Sequence, residues 1–288
     1  MRVKSSGRCV MLALAAAVCT SACAKAPPTE PERSSTMSEA TQTGRTINGH
    51  TYTDAPVDVK LGPNTFRIPA NYLDSQIAPW PGEGVSLVIE WPEMGPSAPG
   101  ARANPRTNDF RKEIKALINY IDRAPIETSL ERYSSNQATT PPDSVERGDP
   151  RDRLDMRVAQ PEVMGLTPYA VDESKMALFS QAYEAKYGKA PPRSRLTEQD
   201  WYVARAADGR LTSFIKCGSK AYVKDGMRLE GDQIIDVPDE TPVAGCVHYI
   251  TDIENSLSIS INYSRVFLKD WKQMEDAIRG VLARSKVN

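Results

Sequence analysis

The chain has 288 residues, of which 40% are hydrophobic and 25% are charged, the proportions of an ordinary globular protein. Its 36 basic and 37 acidic residues leave a formal net charge of −1, and the basic residues are interleaved with acidic ones from end to end. This pattern excludes a protein that binds nucleic acid through clustered basic residues. The length suits one large domain or two domains of about 100–150 residues, and we predict two.

The first 23 residues are predicted to be a lipoprotein signal peptide. Three basic residues precede an apolar stretch over residues 10–18, which is too short to span a bilayer as a helix. The small residues at 20–22 before Cys23 resemble the lipobox of bacterial lipoproteins, so we predict that Cys23 carries a lipid. The alternative is ordinary cleavage after Ala24, at an A-x-A-like site, which would release a soluble periplasmic protein.

Residues 24–46 are predicted to be a flexible tether. They are rich in Pro, Ser, Thr and Glu and contain one large apolar residue, Met37, so they cannot bury a core. The residue after Cys23 is Ala24 rather than Asp, which in Gram-negative lipoproteins implies transport to the outer membrane. We therefore expect a protein anchored in the outer membrane by its lipid and facing the periplasm.

Residues 47–150 are predicted to form an N-terminal α+β domain. Alternating segments at 57–60 and 65–69, joined by Gly-Pro-Asn, predict a β-hairpin. Apolar residues alternate again over 85–91, which predicts a strand. The stretch 114–120 fits either a strand or a helix, and we favour a strand that pairs with the preceding one.

Residues 151–288 are predicted to form a second α+β domain, after a polar linker or large surface loop at 134–153. Asp172 is a candidate N-cap for a helix that ends before Gly188. A hairpin is predicted around the turn 206–209, followed by strands at 246–251 and 257–263.

The C-terminal helix has the clearest pattern in the chain. Its apolar residues recur at helical spacing with charged residues opposite, and such a stripe is typical of a helix that packs on a sheet. These residues are Leu268, Trp271, Met274, Ile278, Val281 and Leu282. The predicted fold class is therefore α+β, with two similar-sized lobes of antiparallel sheet with packed helices and a C-terminal amphipathic helix on a sheet.

The cysteines predict one disulfide bond. If Cys9 and Cys19 leave with the signal peptide and Cys23 is acylated, Cys217 and Cys246 remain as a pair in an exported protein. Each lies at an end of a predicted strand, so the bond would join neighbouring strands. A redox or metal pair is the alternative, but the sequence contains no C-x-x-C motif.

A search for catalytic or metal-binding groups predicts none, and we expect no cofactor. The two histidines are His50, at the edge of the tether, and His248, which we expect to be half-buried beside the disulfide. No G-x-S-x-G motif is present to supply a nucleophilic serine. Asp149, Asp152 and Asp155 lack the order of a calcium loop, so we predict a solvated charge cluster.

Two features are candidates for binding a protein partner. Glu230, Asp232 and Asp236 form an acidic stretch inside the segment that the disulfide would close, where carboxylates could meet a basic patch. A solvated loop tip explains the same residues. Trp80, between two prolines, is a candidate exposed aromatic anchor, although packing inside the protein explains it as well.

The second half resembles the C-terminal domain of lipoprotein immunity proteins that neutralise type VI secretion phospholipase effectors. The resemblance lies in Trp201–Val203, Phe214–Cys217, Cys246–Tyr249, Leu257–Tyr263 and Asp270–Lys272. The run 64–72 with 87–91 is similar to envelope lipoproteins of the same general kind. The resemblance implies a non-enzymatic protein that binds and occludes a secreted toxin in the periplasm.

Two other functions remain open at this point. A structural or assembly lipoprotein of an envelope complex would have the same sequence features. An enzyme that uses a pair of carboxylates would need one of them to have a strongly raised pKa beside an ionised one, and the sequence identifies no such pair.

Overall fold

The structure, a computed structural model, describes residues 40–80, 82, 84–240 and 243–287. The predicted signal peptide, the lipidation site Cys23 and most of the predicted tether lie outside the described residues. No helix in the described ranges is long and apolar enough to cross a membrane.

The described residues form fifteen strands and three α-helices. The strands are β1 Thr43–Ile47, β2 His50–Thr53, β3 Pro56–Leu61, β4 Asn64–Pro69, β5 Gly84–Glu90, β6 Glu113–Tyr120, β7 Arg157–Ala159, β8 Thr167–Val171, β9 Gln199–Arg205, β10 Leu211–Gly218, β11 Met227–Glu230, β12 Gln233–Asp236, β13 Gly245–Asp252, β14 Leu257–Ser264 and β15 Lys286–Val287. The helices are α1 Ser129–Tyr133, α2 Glu173–Tyr187 and α3 Trp271–Ser285.

An antiparallel sheet of eight strands, in the order β5-β6-β14-β13-β10-β9-β8-β7, organises the fold. The predicted hairpin of β9 and β10 and the predicted pairing of β5 with β6 are confirmed. β6 also pairs with β14 along six residues, from Leu257 opposite Tyr120 to Asn262 opposite Lys115. The α+β class is confirmed.

The boundary predicted at residue 150 does not separate two sheets. β5 and β6 come from the predicted N-terminal domain, and the other six strands come from the predicted C-terminal domain. The described residues from position 40 onward form one compact unit. The physical reason is that β5 and β14 pair with the two edges of β6 and so satisfy its backbone groups, and the fully buried Ile118 lies opposite both Val85 and Ile259.

Three smaller β elements flank the large sheet. β3, β4 and β15 form a three-stranded sheet, and β1–β2 and β11–β12 are two-stranded hairpins. β1 begins at Thr43, inside the segment predicted as tether, so the last residues of that segment are ordered in a hairpin. Arg45 of this hairpin donates to the carbonyl of Pro105 at 2.9 Å, which ties it to the loop before β6.

Helix α2 begins and ends as its sequence predicts. The Asp172 side chain accepts hydrogen bonds from the backbone N–H groups of Ser174 and Lys175 at the start of α2, and Gly188 ends the helix at φ 69°. The apolar stripe of α3 packs against the large sheet and β4, as predicted. The main core therefore lies between this helix and one face of the sheet.

The predicted disulfide between Cys217 and Cys246 is present. The two residues lie directly opposite each other on β10 and β13, and both are buried. A smaller core covers the other face of the sheet. It contains Leu130, Leu154, Trp201, Val203, Leu211 and Phe214.

Candidate partner-binding surface

The residues that the sequence suggests for partner binding lie on two separate surface elements. Trp80 lies in the loop before β5 with 69% of its surface exposed. Glu230, Asp232 and Asp236 belong to the β11–β12 hairpin and are exposed. Within the described residues, no hydrogen bond joins Trp80 to this hairpin. Partner binding by these four residues stays a prediction.

Two of the three acidic residues on the β11–β12 hairpin already have cationic neighbours. Arg111 Nη1 lies 2.8 Å from Asp236 Oδ2, and Arg228 Nη2 lies 2.8 Å from Glu230 Oε1. The carboxylates of Asp109 and Asp236 raise the pKa of Arg111. The acidic charge predicted for this element is therefore partly balanced within the chain.

The turn between β9 and β10 carries a different kind of surface. Gly209 adopts φ 85°, a conformation that glycine adopts readily, and the Ala206 N–H donates to the Arg210 carbonyl at 2.9 Å. Arg205 Nη1 donates to the Gly209 carbonyl at 2.8 Å. These bonds hold Arg205 and Arg210 side by side at the end of the hairpin, where both are exposed.

A cleft lies on each side of this turn, and Arg205 and Arg210 line both. The α1 cleft, of about 540 Å³, is lined by Glu131, Ser134, Ser135, Gln137, Leu154, Asp155, Arg157, Tyr169, Arg205, Gly209, Arg210 and Leu211. The α3 cleft, of about 530 Å³, is lined by Gly165, Ala204, Arg205, Arg210, Thr212, Ser213, Thr251, Ile253, Trp271, Lys272, Glu275 and Arg279. We call the two clefts together with the turn between them the turn surface.

The floor of the α3 cleft contains a buried carboxylate. Glu275 is 4% exposed; its Oε2 accepts a hydrogen bond from Ser213 Oγ at 2.8 Å, and its Oε1 accepts one from Arg279 Nε at 2.8 Å. His248 Nε2 lies 3.7 Å from Glu275 Oε2. The positive charge of Arg279 compensates the negative charge of the Glu275 carboxylate and so stabilises this carboxylate in its buried position.

His248 is fully buried, not half-buried as the sequence suggests, because α3 covers the face of β13 on which it lies. Burial lowers its pKa to about 4, since desolvation disfavours the charged ring more than the nearby Glu275 carboxylate favours it; Arg279 and Lys272 lower it further. The imidazole is therefore neutral at neutral pH.

Ser213, His248 and Glu275 do not form a nucleophile–base relay. The Ser213 hydroxyl donates to the carboxylate, and neither ring nitrogen of His248 has a hydrogen-bond partner within the described residues. A relay of this kind requires a hydrogen bond between nucleophile and base, with the base oriented by a third group. The geometry supports a structural role, in which the three groups lie between α3 and the sheet.

The sequence predicts that the acidic residues near position 150 form a solvated cluster, but the structure buries one of them. Asp149 is buried and its Oδ2 lies 2.7 Å from Arg151 Nη2, while Arg151 Nη1 also lies 3.4 Å from Glu198 Oε1. Asp149 is thus part of a buried ion pair. Within the described ranges, no group of three or more His, Cys, Asp or Glu side chains is placed to hold a metal ion.

Sequence reasoning missed the residues that shape these surfaces. The two arginines beside the predicted 206–209 turn were visible in the sequence, but the clefts beside them depend on where α1 and α3 pack. Arg265 was also missed. Its buried side chain donates to the carbonyls of Gly218 and Val223 and pairs with Asp225, which fixes the chain after the disulfide.

No protein-family model matches the chain, and no curated protein matches it. Among solved structures, the chain is similar to Smlt3025, an immunity protein of the Stenotrophomonas maltophilia type IV secretion system, with 68% sequence identity and a TM-score of 0.84. The match covers 86% of this chain and 100% of Smlt3025.

A second solved structure is much less similar. FrpD, an iron-regulated outer membrane lipoprotein of Neisseria meningitidis, matches with 10% identity and a TM-score of 0.40. The match covers 80% of this chain and 93% of FrpD.

Proposed function

The chain belongs to the same family as Smlt3025, and from this membership we propose that it is an immunity protein that binds and neutralises an effector of a type IV secretion system. The observation that carries the proposal is 68% identity over the full length of that relative. At this level of identity the two chains share their fold. The proposal needs no catalytic step, because an immunity protein of this kind acts by binding.

The secretion system in the proposal differs from the one that the sequence resemblance implied. That resemblance pointed to type VI phospholipase effectors, whereas the relative belongs to a type IV system. The general expectation of an immunity protein and a protein partner is supported by the relative. Nothing in the comparisons supports a type VI lipase as the target, so the proposed partner is a type IV effector of unspecified chemistry.

We further propose that the chain acts in the periplasm from a lipid anchor at Cys23 in the outer membrane. The disulfide between Cys217 and Cys246 supports export, because disulfides persist in oxidising compartments and are rare in the cytoplasm. An immunity protein in this position meets an incoming effector after it has crossed the outer membrane of the recipient cell.

A competition experiment tests the proposed function. The recipient is a strain of the source bacterium that lacks this gene and whose own type IV secretion is inactive. It is grown in contact with a wild-type donor or with a donor whose secretion ATPase is inactive. We expect the recipient to lose survival only beside the active donor, and a plasmid copy of the chain to restore survival.

Equal survival beside both donors, with and without the plasmid, would contradict the immunity function. If the recipient were instead sensitive to detergent without any donor, and the plasmid corrected this, the alternative of a structural or assembly lipoprotein of the envelope would be favoured. The donor with inactive secretion is the control. A loss of survival that requires active secretion indicates an immunity function, whereas a defect that does not require it indicates a role in the envelope.

A further inference from the structure

We propose that the turn surface is where the chain binds its effector, and that the segment of the effector that occupies it is acidic. This inference rests on the proposed immunity function, and it identifies the surface and the chemistry of the partner. It does not use the residues that the sequence suggested for partner binding.

The first argument is the position of two arginines. Arg205 and Arg210 lie at the exposed end of a hairpin, and both line the α1 cleft and the α3 cleft. A segment that crosses the turn from one cleft to the other therefore passes both guanidinium groups. Each cleft, at about 540 and 530 Å³, has room for several side chains.

The second argument is the balance of charge. The α3 cleft is lined by four cationic side chains and one carboxylate, Glu275, which Arg279 already pairs. This local excess stands out against a whole chain with a net charge of −1. Complementary charge across an interface governs partner choice and association rate, so the α3 cleft favours an acidic partner. The α1 cleft is more balanced, with three arginines and the two carboxylates of Glu131 and Asp155.

The third argument is that two of these cations have no close carboxylate partner among the described residues. Among the residues that the structure describes, no carboxylate lies within 4.0 Å of Arg205, and Arg210 reaches Asp208 only at 3.9 Å. Lys272 is less available, because it lies 2.9 Å from Asp276 on the rim. Arginine binds carboxylates through two parallel hydrogen bonds, and Arg205 and Arg210 therefore provide the recognition.

The other candidate surfaces fit a partner less well. The β11–β12 hairpin already balances Glu230 and Asp236 with arginines of its own chain. Trp80 is exposed, but nothing described beside it specifies the chemistry of a partner. The turn surface combines two clefts with cations that lack close internal partners.

The test uses the competition experiment, with the recipient complemented by variants of the full chain. The first variant is Arg205→Glu with Arg210→Glu, and the second is Arg205→Gln with Arg210→Gln. The matched control is Lys220→Glu, an exposed cation beyond the opposite end of β10. Immunoblotting verifies equal amounts of each variant, and urea unfolding verifies that each is folded.

We expect the charge-reversed variant to lose protection completely, the neutral variant to protect partially, and the Lys220→Glu control to protect like the wild type. Protection by the charge-reversed variant equal to the wild type would overturn the proposal. Equal losses in the folded neutral and charge-reversed variants would also overturn it, because the loss would then not depend on charge. Failure of the wild-type copy to protect would instead reject the immunity function.

Discussion

At the scale of single residues, His248 shows how burial sets the charge state of a group. The imidazole lies beneath α3, in edge contact with Trp271 and 3.7 Å from the Glu275 carboxylate. The sequence places position 248 on the same face of its strand as Cys246 and Ile250, and alternation alone predicts this. It could not predict full burial, because that depends on how α3 crosses the strand.

The lowered pKa of His248 predicts a loss of stability in acid. The pKa of His248 is about 4 in the folded chain, and the ordinary pKa of histidine is 6.5, so between these values the unfolded chain binds the proton and the folded chain does not. Stability is therefore fully present above pH 6.5 and decreases as the pH falls toward 4, with a maximum loss of about 3 kcal/mol from this group.

Urea unfolding at pH 7, 6 and 5 measures this effect in the wild type and in His248→Gln, which cannot titrate in this range. Carboxylates titrate in both proteins, so the difference between the two free energies of unfolding isolates the histidine. We expect the wild type to lose more stability than the variant as the pH falls. Parallel profiles would show that His248 is not held neutral.

At the scale of elements, long strands and helices were predictable and short strands were not. The alternation in β9, β10 and β14 and the cap residues of α2 are local signals, and each specified its element. β15 has two residues and β7 has three, too few to show a period. Such strands form because a neighbouring strand offers backbone partners, which the sequence does not display.

The disulfide makes a prediction at this scale, because it joins β10 and β13 across a separation of 29 residues. Replacing both cysteines by Cys217→Ala and Cys246→Ala should lower the free energy of unfolding by about 3–4 kcal/mol, since the unfolded chain regains the entropy of an open loop. Urea unfolding with and without a reductant measures the change. Reduced wild type should approach the double variant, and an unchanged urea midpoint would contradict the prediction.

At the scale of the whole molecule, the sequence predicts the α+β class but not the way its halves join. The predicted boundary falls in a polar, proline-containing region, which is a reasonable sign of a linker. The structure instead joins β6 to β14 in the middle of one sheet. The register between β6 and β14 cannot be read from the local sequence of either strand, because the two strands lie far apart in the chain. The turn surface has the same origin, because its arginines are adjacent to a predicted turn but its clefts depend on distant helices.

The proposed anchor makes a prediction about the location of the whole protein. Cys23→Ser should move the chain from the outer-membrane fraction to the soluble periplasmic fraction and should abolish incorporation of radiolabelled palmitate, because the acylated side chain is lost. Cys19→Ser is the matched control and should remain in the membrane. A wild-type chain found in the soluble fraction would favour ordinary signal cleavage after Ala24.

The pairing of β6 with β14 also determines when the molecule can finish folding. Tyr120 pairs with Leu257, about half of the chain later, whereas β9, β10, β13 and β14 lie close together in sequence. Contacts between such distant segments slow folding, because the entropy of closing the intervening loop opposes them. During synthesis, the edge of β6 that pairs with β14 therefore stays unpaired until residues 257–262 have been made. Until β14 arrives, the unpaired edge of β6 is open to pairing with other chains, and a chaperone that covers this edge would favour correct folding.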